Sequence, residues 1–245
     1  VYTPQWLPGL VASIDWWEID MADGVLYPSD DEIVERCYDQ PSTSNPFCDL
    51  FSRATDGALV GVIVDLEQRP VNVSNLYTSG VDFSLNYPMD LENYGSLALS
   101  FNGTYLEALR TQPTVDPTQV EEVGLDDTLL GEQAPEWVAN MNASWMRGPM
   151  SATYRVRYQS PLSQFTAVEI ARQPDVTDFL ETDPLLVQDI QGSYSFENGL
   201  EAFFGVNNIT NQKPDGPYLN LPVGPRGRVV YVGLSADFDN MTGLN

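Results

Sequence analysis

The sequence predicts an all-β chain: a segment of an antiparallel transmembrane β-barrel, about eight strands with long extracellular loops. Three observations predict it. Apolar and polar residues alternate strictly over several runs, which is the pattern of strands with two chemically different faces. Connections alternate between short and long, as they do in outer-membrane barrels. The apolar faces end in Trp and Tyr, the residues favoured where lipid meets water.

The elements follow in chain order. A weaker alternation near residues 10–21 marks the first strand. Ser29 to Tyr38 predicts one short helix, with Ser29 as cap and Asp30, Asp31 and Glu32 at its positive end. Val81, Phe83, Leu85 and Tyr87 then oppose Asp82, Ser84 and Asn86. From Ser96 to Tyr105, the face of Leu97, Leu99 and Phe101 opposes Ser96, Ser100 and Asn102. From Trp137 to Trp145, Ala139, Met141 and Ala143 oppose Asn140, Asn142 and Ser144. Tyr154, Val156 and Tyr158 oppose Thr153, Arg155 and Arg157. Weaker strands lie near 186–196 and 200–209, and Val230, Val232 and Leu234 alternate with Tyr231, Gly233 and Ser235 in the last. Short turns fall at Pro88 to Gly95, Arg147-Gly148-Pro149 and Glu197-Asn198-Gly199, where Asn-Gly signals a tight turn. Long connections run over about 22–71, 110–134, 160–184 and 211–226, and apart from the helix they read as loop.

Composition narrows the function. The chain has 245 residues, with 11 Lys+Arg against 35 Asp+Glu and a net charge of −24. That excess argues against a nucleic-acid surface, which needs clustered bases. With no histidine, a Ser-His-Asp triad, a His general base and a His-ligated zinc are excluded. Two cysteines are too few for an iron–sulfur cluster or an all-Cys zinc site. Lys213 is the only lysine. No run reaches the ~18 apolar residues of a transmembrane helix. Acidic loop clusters such as Asp30-Asp31-Glu32, Glu121-Glu122 and Asp126-Asp127 read as solvated charge. Hard oxygen ligands suit calcium, but no segment matches an EF-hand. Nothing singles out a carboxylate pair for hydrolysis. The reading is no enzyme, no catalytic residue, no metal and no cofactor. A soluble β-sandwich also alternates, but its outer faces would carry Lys and Glu. Here the polar faces are Ser, Asn, Thr, Gln, Gly and Arg.

Phe203-Phe204-Gly205-Val206-Asn207-Asn208-Ile209-Thr210-Asn211-Gln212-Lys213-Pro214 resembles the GVNNLFDKKP segment near the C-terminus of TonB-dependent outer-membrane receptors. Gly227-Arg228 through Tyr231-Val232-Gly233-Leu234 to Phe238 resembles their final strand. Leu7-Pro8-Gly9-Leu10 with Ile14-Asp15-Trp16-Trp17, Ser79-Gly80-Val81-Asp82-Phe83, and the Cys37…Cys48 pair are similar too. The resemblance implies a plugged barrel of ~22 strands that imports a scarce nutrient across the bacterial outer membrane, powered through TonB. Residues 1–238 would then be its C-terminal barrel part and 239–245 a tail. The plug domain and TonB box have no counterpart in these residues, so a C-terminal fragment is expected.

The implied partners are outer-membrane lipid and lipopolysaccharide, the plug and remaining strands, TonB, and a small-molecule or oligosaccharide ligand. Iron chelate, cobalamin and oligosaccharide all stay open, and no nucleic acid is expected. Phe238 is the candidate barrel-assembly signal, although family members stop at that aromatic and Asp239 to Asn245 follow it here. Cys37 and Cys48 are expected to form a disulfide, since the cell envelope is oxidising, with two free thiols as the bland alternative. Arg155, Arg157, Asn140, Asn142 and Asp82 are lumen-facing candidates. The two arginines either pair with carboxylates such as Asp82 or Asp189, or form an anion-selecting wall. Two rivals are a self-contained eight-stranded barrel with a structural or adhesion role, and a soluble acidic carbohydrate-binding β-sandwich.

Overall fold

The fold is taken from a computed structural model describing residues 1–39, 42–113, 120–126, 128, 133–172, 181–213 and 226–236. In chain order its elements are β1 (Val11–Leu26), α1 (Asp30–Asp39), β2 (Phe51–Arg53), β3 (Ile63–Leu66), β4 (Val71–Asp90) and β5 (Ser96–Pro113). They continue with β6 (Val120–Glu121), β7 (Trp137–Arg147), β8 (Met150–Gln159), α2 (Ala167–Arg172), β9 (Leu185–Ser195), β10 (Leu200–Asn207) and β11 (Val229–Ala236).

One antiparallel sheet runs β1-β4-β5-β7-β8-β9-β10-β11, with β6 added beside β5. Its long strands are the eight that alternation predicts. β2 and β3 form the second, two-stranded sheet. Among the described residues no second sheet packs over the large one, which is not the arrangement of a sandwich. Among the described residues no ladder joins β1 to β11, which also removes the closed eight-stranded barrel.

Register gives each face its character, because residues opposite one another point the same way. One row runs Ser13, Ser84, Asn102, Asn140 and Arg157; the next runs Val11, Asn86, Ser100, Asn142, Arg155 and Asp189. The reverse face carries Ile14, Phe83, Gly103, Ala139, Tyr158 and Leu186 in one row. Ile14, Trp16, Phe101, Met141, Ile190, Phe204 and Val232 on that face are all exposed, an apolar expanse that water would not tolerate. Trp137 and Trp145 bracket it on one strand. Their spacing spans roughly 27 Å of strand, or about 20 Å of height at barrel tilt, close to the ~25 Å apolar band of such barrels.

The band ends at a bulge. Between Ser79 and Gly80 the β4–β5 register slips, leaving Glu107 unmatched. Its carboxylate accepts from Trp16 Nε1 and from Ser79 Oγ, both at 3.4 Å. Beyond this level the apolar face turns charged, with Arg110 and Glu121 paired at 2.9 Å.

Two aromatic side chains sit on the polar face over glycines. Phe203 lies opposite Gly233, and Tyr231 lies opposite Gly205. A methyl at either glycine would overlap the facing ring, so the missing Cβ is the space each ring occupies.

The first long connection departs from the loop reading. It holds α1, a turn of 3₁₀ helix at Cys48–Leu50 and the β2–β3 hairpin, around a small core of Ile33, Cys37, Phe47, Leu50 and Val71. α1 starts as predicted, one residue inside Ser29. Ser29 Oγ accepts from Glu32 N at 3.4 Å while Ser29 N donates to Glu32 Oε2 at 2.6 Å, a capping box. The third long connection likewise contains α2, whose six residues are too short to show helical periodicity. No helix among the described residues is long and apolar enough to cross a membrane.

Candidate functional site

The polar face is the candidate transport wall. Hydroxyls bond across the strands, Ser13 with Ser84 at 2.8 Å and Ser151 with Ser193 at 2.8 Å, and along β7 Asn142 Nδ2 donates to Ser144 Oγ at 3.1 Å. Asp82 accepts from Thr104 Oγ1 at 2.7 Å. An open hollow of about 320 Å³ is lined by Asp82, Asp15, Ser84, Asn102 and Asn140 among others. By register Asp82, Asn140, Asn142, Arg155 and Arg157 share one face of the sheet.

The two arginines take different surroundings. Arg157 Nη2 reaches Asp189 Oδ2 at 3.3 Å, the second of the two partners the sequence offers. Asp189 Oδ1 also accepts Asn208 N at 2.7 Å. Arg155 stands opposite Asn142 and Asp189 in register, and its side chain is exposed. Phe238 and residues 239–245 lie outside the described residues.

Asn208 explains why the Asn-Asn motif sits where it does. Its backbone is left-handed (φ 55°), a conformation that Asn tolerates better than most residues. Its side-chain amide exchanges two bonds with Gln212: Nδ2 donates to Gln212 O at 2.6 Å, and Oδ1 accepts from Gln212 N at 2.8 Å. Asn211 Oδ1 then accepts Arg228 N at 2.9 Å, tying the end of β10 to the start of β11.

At the long-loop end, Cys37 and Cys48 are joined in a disulfide with Cα atoms 4.8 Å apart. Asn45, buried between them, holds that loop. It donates to Cys37 O at 3.2 Å and to Ser42 O at 2.8 Å, and accepts from Phe47 N at 3.0 Å. The Asn45-Pro46 pair is the signal that marks this turn; the sequence reading passed over it.

The first three long connections are stitched together. Arg36 Nη2 of α1 meets Glu122 Oε1 at 3.2 Å, with both side chains largely buried and Thr111 Oγ1 donating to the same oxygen at 3.1 Å. Leu125 pairs with Ser163, and Ser163 with Glu181. No group of three or more metal-ligating side chains occurs among the described residues.

The chain matches the family described as TonB dependent receptor-like, β-barrel, over residues 2–209. No curated protein matches it. A mutant ferric enterobactin receptor of Pseudomonas aeruginosa has a similar structure: TM-score 0.52 and 15% identity, covering 93% of this chain and 29% of the receptor. A second mutant of that receptor, in complex with enterobactin, has TM-score 0.47 and 15% identity, with 84% and 24% covered. At 15% identity the likeness to the first of these is one of fold, and this chain spans less than a third of that receptor's length.

Proposed function

Because the chain belongs to the family of TonB-dependent receptor β-barrels, we propose that it forms the C-terminal wall of an outer-membrane transporter. On this reading residues 1–238 are barrel, 239–245 are a tail, and the preceding strands and plug complete the lumen. The transporter takes up a bulky nutrient, such as an iron chelate, cobalamin or an oligosaccharide. The long loops capture it outside, and the lumen passes it once TonB moves the plug. The chemistry is non-covalent throughout.

One observation carries the reading. The sheet has one hydrogen-bonding polar face and one exposed apolar face bounded by tryptophans. A wall between water and lipid needs both. On this reading Asp82, Asn140, Asn142, Arg155 and Arg157 face the lumen, and Phe238 serves barrel assembly.

The test is uptake by cells carrying the complete receptor, with and without TonB. TonB-dependent accumulation of a labelled chelate, cobalamin or oligosaccharide supports the proposal. Passive, TonB-independent diffusion of small solutes would replace it with a porin.

A further inference from the structure

The two faces of the sheet exchange character at the level of the Glu107 bulge. Towards the short turns, one face carries the row Asp15, Asp82 and Thr104 and the row Ser13, Ser84, Asn102 and Asn140. Towards the long connections, the same face carries Trp17, Ile19 and Met21 on β1, opposite Gly80, Thr78 and Leu76 on β4. Glu18 and Asp20, at the alternate positions, turn the other way. Ile19 and Met21 are 51% and 47% exposed. Apolar side chains therefore stand uncovered on the side read as the lumen, next to hydrogen-bonding ones.

Trp17 is held down on the sheet. Its indole lies over Gly80, where an added Cβ would come within 2.6 Å of the ring, so the glycine makes room for the seat. Two residues back along β1, about 7 Å away, lies the hollow of about 320 Å³. Within it Asp15 faces Asp82, and Asn102 faces Asn140, directly across the strands. Thr104 donates to one oxygen of Asp82, and Ser13 and Ser84 bond to each other. The carboxylate of Asp15 and the carboxamides of Asn102 and Asn140 are exposed and make no hydrogen bond among the described residues.

The chemistry of this patch is selective. A polyanion would meet two opposed carboxylates. A metal ion would find those two without a third ligating side chain grouped with them among the described residues. A wholly apolar ligand would strip water from the acids and amides and give nothing back. A sugar ring matches every part. Its hydroxyls donate to carboxylates in charge-assisted bonds, carboxamides both donate to and accept from hydroxyls, and its C–H face packs on an aromatic ring.

We propose that this stretch of wall is a subsite for a neutral oligosaccharide. Trp17 is the platform, extended by Ile19 and Met21, and Asp15, Asp82, Asn102 and Asn140 bind the hydroxyls. The inference rests on the uptake reading above and narrows its open choice of ligand to one class.

The complete receptor in detergent is offered an array of neutral oligosaccharides, with carboxylate-bearing glycans and spermidine alongside. It should retain neutral members of the array. Trp17→Ala and Asp82→Asn should each weaken that binding by about tenfold or more, the loss expected for one strong contact. Trp17→Phe, which keeps a ring, should retain most of it. Asp15→Asn separates binding from folding. It removes a like charge directly opposite Asp82, so stability to urea should hold or rise while binding falls. A fall in both assigns Asp15 a structural role and overturns the proposal. So does failure to bind any neutral oligosaccharide, binding unmoved by Trp17→Ala and Asp82→Asn, or retention of only spermidine or the carboxylated glycans. Uptake by energised cells is read separately. If the bound oligosaccharide is never accumulated in a TonB-dependent way, the subsite stands and the uptake reading falls. If an iron chelate or cobalamin is accumulated through TonB while the array stays empty, the uptake reading stands and the subsite falls.

Discussion

Asp189 Oδ1 accepts the backbone amide of Asn208 at 2.7 Å while its other oxygen holds Arg157 at 3.3 Å. One carboxylate thereby joins the polar wall to the start of the last long connection. Asn208 passes the restraint on through its two bonds to Gln212.

Asn208→Ala should loosen that connection. It removes both partners of the half-buried Gln212 backbone groups, at a cost below the about 1–3 kcal/mol of a fully buried unmet group. Asn208→Asp keeps the acceptor and loses the donor, so its effect should fall between. Limited proteolysis of folded receptor should cut within residues 208–228 in the order Ala, then Asp, then wild type. An unchanged digestion pattern in the Ala variant would show that the staple is dispensable.

Leu99 lies on the apolar face, opposite Tyr87 and Ala143. Leu99→Arg should destabilise the barrel by ~2–4 kcal/mol if it sits at the bilayer midplane, and less towards either interface. Urea unfolding in lipid vesicles reads this directly. A harmless substitution, in a protein that stays soluble without detergent, would end the membrane reading.

The Cys37–Cys48 bridge closes a loop of separation 11. Its loss should weaken the small core around Ile33 and Phe47 by about 2–3 kcal/mol, as expected for so short a loop. Non-reducing mass spectrometry of material taken straight from the envelope should find the two joined. Two free thiols in that material would contradict the structure.

Gly233→Ala should be destabilising because its methyl meets the Phe203 ring; overpacking of this kind costs about 1–3 kcal/mol. Phe203→Leu should relieve most of it. A double-mutant cycle measures the coupling, and strictly additive effects would show that the ring moves aside freely.

β1 and β11 should each meet other strands in the complete receptor. Disulfide trapping between cysteines placed at Ile14 and Val232 should give no intramolecular cross-link. An efficient cross-link would restore the closed eight-stranded barrel.

Much of this protein is legible along the chain. The two-residue period is a local property of a strand, so each run from Leu97 to Tyr105 or from Trp137 to Trp145 declares its two faces unaided. Turn and connection lengths then place the eight strands in order, and tryptophans near the strand ends mark the band.

Tertiary structure decided what depends on register and distance. Asp82 and Asp189 were equal partners for the arginines until the β8–β9 pairing set Asp189 beside Arg157. The bulge at Glu107, the Asn45 hub and the meeting of Arg36 with Glu122, 86 residues on, left no periodic trace. Nor did the β2–β3 hairpin, whose strands are too short to repeat a pattern. Such contacts form only when distant segments are brought together, and their geometry depends on every strand between them. A sequence lists the charges available to a loop; only the folded chain shows which of them are already neutralised and which face the water.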